Sequence, residues 1–173
     1  MATTYTLIAS STVGSGGSAT ITFSSIPATY TDLKVVFSTR STSSAESPFN
    51  NQRLRFNSDT GNNYSVRGLF GDGGSVSSGT NSDTSILYNY ANANNTTSNT
   101  FSNGEIYIPN YTSSNQKSVS IDGVVENNAT SAFANFTAGR WTGTAAITTI
   151  SLTDANGSFV QYSTAYLYGI SNA

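Results

Sequence analysis

Along most of this chain apolar and polar residues alternate with a period of two, in runs of strand length set apart by Gly, Asn, Ser and Pro. That spacing predicts β-strands, and no stretch of useful length carries the longer period of an amphipathic helix. The clearest run is Ala19-Thr20-Ile21-Thr22-Phe23-Ser24, apolar on one face and hydroxylic on the other. It follows Gly14-Ser15-Gly16-Gly17, so Thr3–Ser10 and Ser18–Ser24 are expected to form a hairpin around a glycine loop. Asp32–Thr39 sets Leu33, Val35 and Phe37 on one face. Gln52–Asn57 turns Leu54 and Phe56 inward and Arg53 and Arg55 outward.

Further strands are expected at Tyr64–Phe70, Ser85–Tyr90, Gly104–Ile108, Ser118–Glu126, Ala132–Phe136, Ala145–Thr153 and Phe159–Ile170. Val119, Ile121 and Val125 share a buried parity, with Gly123 as a candidate bulge. In the last run Val160, Tyr162, Tyr166, Tyr168 and Ile170 share one face, and Phe159 and Leu167 lie opposite. Apolar groups on both faces suggest a strand covered twice, once by its own core and once by a neighbouring subunit or loop. Tyr166, Leu167 and Tyr168 are therefore the candidate interface residues. About ten short antiparallel strands predict an all-β fold, a single β-sandwich or jelly-roll domain over 1–173, with a barrel second. Arg40–Asn51, Gly71–Thr84 and Ala91–Asn99 are too poor in apolar residues to build core, and are expected as loops.

Composition sharpens this picture. Only 9% of residues are charged, while Ser, Thr and Asn make up roughly four in ten. The net charge of −2, ten Tyr and nine Phe mark a folded chain with a neutral hydroxyl and amide surface. Seven basic residues against nine acidic ones leave no footprint for nucleic acid or an anionic membrane. Arg53 and Arg55 read as a solvated strand face. No apolar run is long enough for a spanning helix, and Met1–Ser10 lacks the pattern of a secretory signal. Synthesis in a cytosol is the expectation.

Cysteine and histidine are both absent. Disulfides, thiolate metal sites and cysteine nucleophiles are thereby excluded, and with histidine goes the usual general base and the commonest zinc ligand. No cofactor and no catalytic residue is assigned. Asn57, Asp59, Gly61 and Asn63 alternate like a calcium loop, but with one carboxylate they read better as a turn. Carboxylate pairs such as Asp72 with Asp83, or Glu105 with Asp122, carry no mark of a hydrolase and read as surface or turn groups. Gly71-Asp72-Gly73-Gly74 lacks the lysine and helix of a phosphate loop and reads as a turn. Trp141, in the Gly- and Thr-rich stretch Gly139–Thr144, is the candidate glycan platform. Seven Asn-x-Ser/Thr matches are the chance yield of this composition.

Phe23-Ser24-Ser25-Ile26-Pro27 leading into Thr29-Tyr30-Thr31-Asp32-Leu33 resembles small virion proteins of tailed phages, notably those of marine bacteria and cyanobacteria. Leu54-Arg55-Phe56-Asn57, Asn63-Tyr64-Ser65, Ile108-Pro109-Asn110-Tyr111 and Leu167-Tyr168-Gly169-Ile170 extend the resemblance over nearly the whole chain. It implies a virion part without catalytic residues. The expected function is a capsid-decorating (cement) protein on the outside of an assembled phage head. The alternative is a tail or fibre-tip domain that binds host surface glycan. The expected partners are the major capsid protein, other virion proteins and sister copies, as a homo-oligomer with a trimer favoured by the resemblance. Neither nucleic acid nor membrane is an expected partner, and the expected location is the virion, after synthesis in the host cytoplasm.

Overall fold

The computed structural model describes residues 4–44, 49–128 and 132–171. Their alternation folds into twelve strands: β1 (Tyr5–Thr12), β2 (Thr20–Phe23), β3 (Asp32–Thr39), β4 (Phe49–Phe56), β5 (Tyr64–Gly71), β6 (Val76–Asp83), β7 (Ile86–Asn92), β8 (Ser102–Ile108), β9 (Lys117–Val125), β10 (Phe133–Trp141), β11 (Ile150–Asp154) and β12 (Thr164–Ile170). They build two antiparallel sheets. One has eight strands in the order β1-β12-β3-β8-β9-β10-β5-β6, and the other has four in the order β2-β11-β4-β7. The fold is an all-β sandwich. Every residue assigned to the core by parity is buried: Ile21, Phe23, Leu33, Val35, Phe37, Leu54, Phe56, Val119 and Ile121.

β1 and β2 do not form the expected hairpin. β1 pairs with β12, opposing Tyr5 to Ile170, and β2 pairs with β11 in the other sheet. The glycine stretch instead carries the chain across the edge of the sandwich, turning through Gly17 at φ 70°. Ser163 O holds the Val13 amide and Phe159 O holds the Ser18 amide on the way across. A loop that changes layers looks like a hairpin loop in sequence, because glycine serves both.

Gly123 is not a bulge. Its register with Gly104 and Asn135 is unbroken, and an added Cβ would sit 2.4 Å from Asn89 Oδ1. The glycine makes room for buried amides. The register shifts fall elsewhere, between Leu7 and Ala9 and between Gln52 and Arg53.

Gly71–Thr84 is a strand rather than a loop. β6 pairs with β5 through a turn at Asp72–Ser75, where Asp72 accepts from the Gly74 and Ser75 amides. Its sequence VSSGTNSD hides no core side chain because β6 is an edge that overhangs the narrower sheet. Arg40–Asn51 contributes the start of β4, and residues 45–48 of that expected loop lie outside the described set. Ala91–Asn99 is strand to Asn92; beyond it, Arg40 donates Nη1 to Thr97 O at 2.8 Å and Thr100 O at 2.9 Å. The strand expected over Ala145–Thr153 begins at Ile150. Before it, Asn57 Oδ1 accepts from the Thr148 and Thr149 amides and replaces a ladder. The run Phe159–Ile170 is strand from Thr164.

Candidate functional site

The candidate residues from the sequence separate in the structure. Trp141, at the end of β10, is 4% exposed and lies against Phe56 and Tyr64. Its indole N–H donates to Asp59 Oδ2 at 2.7 Å. The side of the ring is closed by Gly143, where an added Cβ would lie 2.1 Å from the indole. A buried ring offers no platform to a sugar, so the glycan assignment at Trp141 is withdrawn. Burial follows from its parity, which is that of Thr137 and Gly139, the inner face of β10.

The Asn57–Asn63 stretch is built from protein donors. Asp59 accepts from the Gly61 amide at 2.8 Å and from Asn63 Nδ2 as well as from Trp141. The Trp141 hydrogen bond, followed by those from Gly61 and Asn63, holds its carboxyl below the usual carboxylate range. Asn57 and Ser58 adopt φ of 50° and 57°, as a turn requires. Among the described residues no group of three or more His, Cys, Asp or Glu converges.

The expected interface divides along β12. Leu167 is 0% exposed and belongs to the core, so its assignment to an interface is corrected. Tyr166 and Tyr168 point the other way, onto the outer face of the eight-stranded sheet. One face of this strand meets the core, and the apolar side chains of the other are half-buried or exposed.

That outer face gathers nearly all the exposed large apolar side chains of the described residues: Tyr5, Leu7, Val36, Leu69, Val76, Val124, Phe136 and Tyr166. The exception is Tyr162, in the turn before β12. Register lines them up. One row across the sheet runs Tyr166, Val36, Glu105, Asp122, Phe136, Leu69, Ser78, from β12 to β6. The next row toward the far strand ends runs Asn103, Val124, Ala134, Gly71, Val76. Two apolar patches therefore flank a charged centre.

The centre is where one of the named carboxylate pairs lies. Glu105 and Asp122 are directly opposed on β8 and β9. Lys34 binds Glu105 Oε2 at 2.6 Å, and the carboxyl of Asp122 is pushed up, first by burial and then by the charge of Glu105. Nearby, the Tyr107 hydroxyl donates to Asp32 Oδ2 at 2.7 Å, a bond that raises the Tyr107 phenol. These groups lie together at the centre of an open sheet surface. No family model, curated protein or solved structure matches this chain.

Leu69, Val76, Val124 and Phe136 were not singled out from sequence. The available signal was apolar neighbours of opposite parity: Leu69 beside Phe70, and Val124 beside Val125. In each pair one side chain must leave the core face.

Between the two sheets, beneath the row of Asn103 and Val124, lies a buried polar belt. Thr39, Gln52, Asn89 and Ser102 bond one another across the two sheets. Asn50 Nδ2 donates to Asp154 Oδ1, whereas Asp154 Oδ2 and the Tyr88 hydroxyl have no protein partner. Burial raises the Asp154 carboxyl against the opposing hydrogen bonds of Ser41, Asn156, Gly157 and Asn50.

Proposed function

We propose that this protein is a structural component of a virus particle, a capsid-decorating protein that adheres to the outside of an assembled phage head. The observation that carries the reading is the outer face of the eight-stranded sheet, where large apolar side chains lie exposed in register. Soluble monomers expose such groups singly, and a contiguous set marks a surface that meets another protein. The whole face measures roughly 34 Å across by 26 Å along the strands, from ordinary strand spacings. That is about 900 Å², close to one side of a standard-size interface. The near-neutral Ser, Thr and Asn coat elsewhere lets copies sit side by side without mutual repulsion. The resemblance of the chain to small virion proteins of tailed phages supports the same reading. The glycan-binding alternative loses its platform with the burial of Trp141.

The reading is tested by mass spectrometry of purified virions and by adding the protein to heads that lack it. A decorating protein is present in large excess over the tail proteins and binds the bare heads in a saturable way. Presence at tail stoichiometry, or failure to bind heads, overturns it.

A further inference from the structure

We infer that a second copy of this chain packs on the β9-β10-β5-β6 half of the outer face, forming a two-fold dimer with the sheets face to face. This half carries the three most exposed apolar groups of the sheet, Val76 at 78%, Phe136 at 55% and Leu69 at 53%, together with Val124 at 43%. The other half exposes Leu7 at 52% and Tyr5 at 51% on its edge strand, with Tyr166 and Val36 at 37% and 36%, and covering it would bury the Lys34–Glu105 ion pair.

Charge decides where the two-fold axis lies. In register across this half run Asp122, Phe136, Leu69, Ser78 and, one row on, Val124, Ala134, Gly71, Val76. An axis at right angles to the strands, through the first row, lays Asp122 on the second copy's Asp122. An axis parallel to the strands but centred between β8 and β9 lays Glu105 on the second copy's Asp122. Both oppose like charges, which is destabilising. An axis parallel to the strands and between β10 and β5 exchanges β10 with β5 and β9 with β6. Phe136 then meets the second copy's Leu69, Val124 meets its Val76, and Ala134 meets its Gly71. Asp122 faces the Ser78 hydroxyl. In these two rows all four exposed apolar groups find apolar partners and the carboxylate meets a donor; in the two rows beyond, Arg67 faces the second copy's Ala138 and Arg140 its Ser65.

Four strands by four rows cover about 19 by 26 Å, or about 500 Å² on each copy. The total of about 1,000 Å² sits at the lower bound for a specific interface. A dimer of this size is weak in dilute solution and favoured where copies are crowded on a surface. It differs from the trimer expected from the sequence, and it does not rest on the virion reading.

Sedimentation equilibrium of the purified full chain tests it, with circular dichroism as the control for folding. The wild type is expected to pass from monomer to dimer over the micromolar range. Phe136→Asp and Leu69→Asp, at exposed positions, remain monomeric with unchanged dichroism, and Tyr166→Asp dimerises as the wild type does. Ser78→Lys tightens the dimer several-fold by facing Asp122, Ser78→Glu weakens it, and adding Asp122→Lys to Ser78→Glu restores it. A monomer at the highest soluble concentration, a trimer, or a dimer indifferent to both Phe136→Asp and the Ser78 charge overturns the inference. A monomer that still coats phage heads removes the dimer and leaves the virion reading standing, and a dimer that ignores heads does the reverse.

Discussion

Trp141 and Asp59 stand 82 residues apart in sequence, yet the indole Nε1–H meets Asp59 Oδ2 at 2.7 Å. The bond ties the end of β10 to the turn between β4 and β5. It also satisfies the polar atom of the chain's one tryptophan, whose ring is otherwise in the core.

Asp59→Ala is expected to destabilise the protein by about 1–3 kcal/mol, the range for leaving a buried donor unpaired. Urea unfolding of both forms checks it. The sign with pH follows from the lowered Asp59 pKa. A depressed carboxyl contributes stability above its unfolded value, about 3.9, and loses it as pH falls through the folded value. The gap between wild type and variant narrows below about pH 3.9.

Asp154 behaves in the opposite sense. Burial raises its carboxyl, so the folded state binds the proton more tightly than the unfolded chain does. Its favourable contribution is complete below about pH 3.9 and is lost as pH rises through the higher folded value. Relative to Asp154→Asn, the wild type is expected to gain stability as the pH is lowered from neutral toward that limit. Thermal melts of the two proteins across this window measure the difference, and parallel curves would contradict it.

Adjacent residues of β12 give a test of parity. Leu167→Ala is expected to cost about 2–5 kcal/mol, as for other enclosed leucines. Leu167→Asp, which puts a carboxylate in the core, abolishes the cooperative transition. Tyr166→Asp, one position away on the outer face, leaves the melting temperature within a few degrees of wild type. Equal losses at the two positions would mean that the outer face is not open.

Calcium is expected to leave the melting temperature unchanged, and so is EDTA. Asp59 already accepts from three protein donors, and the Asn57 amide is bonded to Ala146 and Thr148. A calcium-dependent rise in a differential scanning fluorimetry melt would show that these oxygens rearrange around a cation.

The parity of Ile21 and Phe23, or of Leu33, Val35 and Phe37, was legible in the sequence because each lies in a strand with one wet face. β6 was not, since an overhanging edge buries nothing and so leaves no alternation to read. The partition of strands between sheets was equally hidden. β1 and β2 are neighbours in sequence, but their partners β12 and β11 come from the far end of the chain. Trp141 misled because Gly139–Thr144 looks like an open loop, and its closure depends on Asp59, far upstream. The exposed apolar face escaped for a related reason. Phe136 and Leu69 belong to separate strands, and only the pairing of β10 with β5 sets them side by side.

The pairing of Tyr5 with Ile170 has a practical consequence for anyone who handles the molecule. Opposed antiparallel residues are about 5 Å apart at their Cα atoms, so chain entering at β1 and chain leaving at β12 share one corner. That corner is on the sheet edge farthest from β6, roughly 34 Å away by strand spacing. Cargo joined just before β1 or just after β12 therefore starts from the same place, on the edge away from Phe136 and Leu69. A short peptide bridging the two would close the backbone into a ring, and cutting that ring at Gly73 would yield a circular permutant with both new ends beside β6.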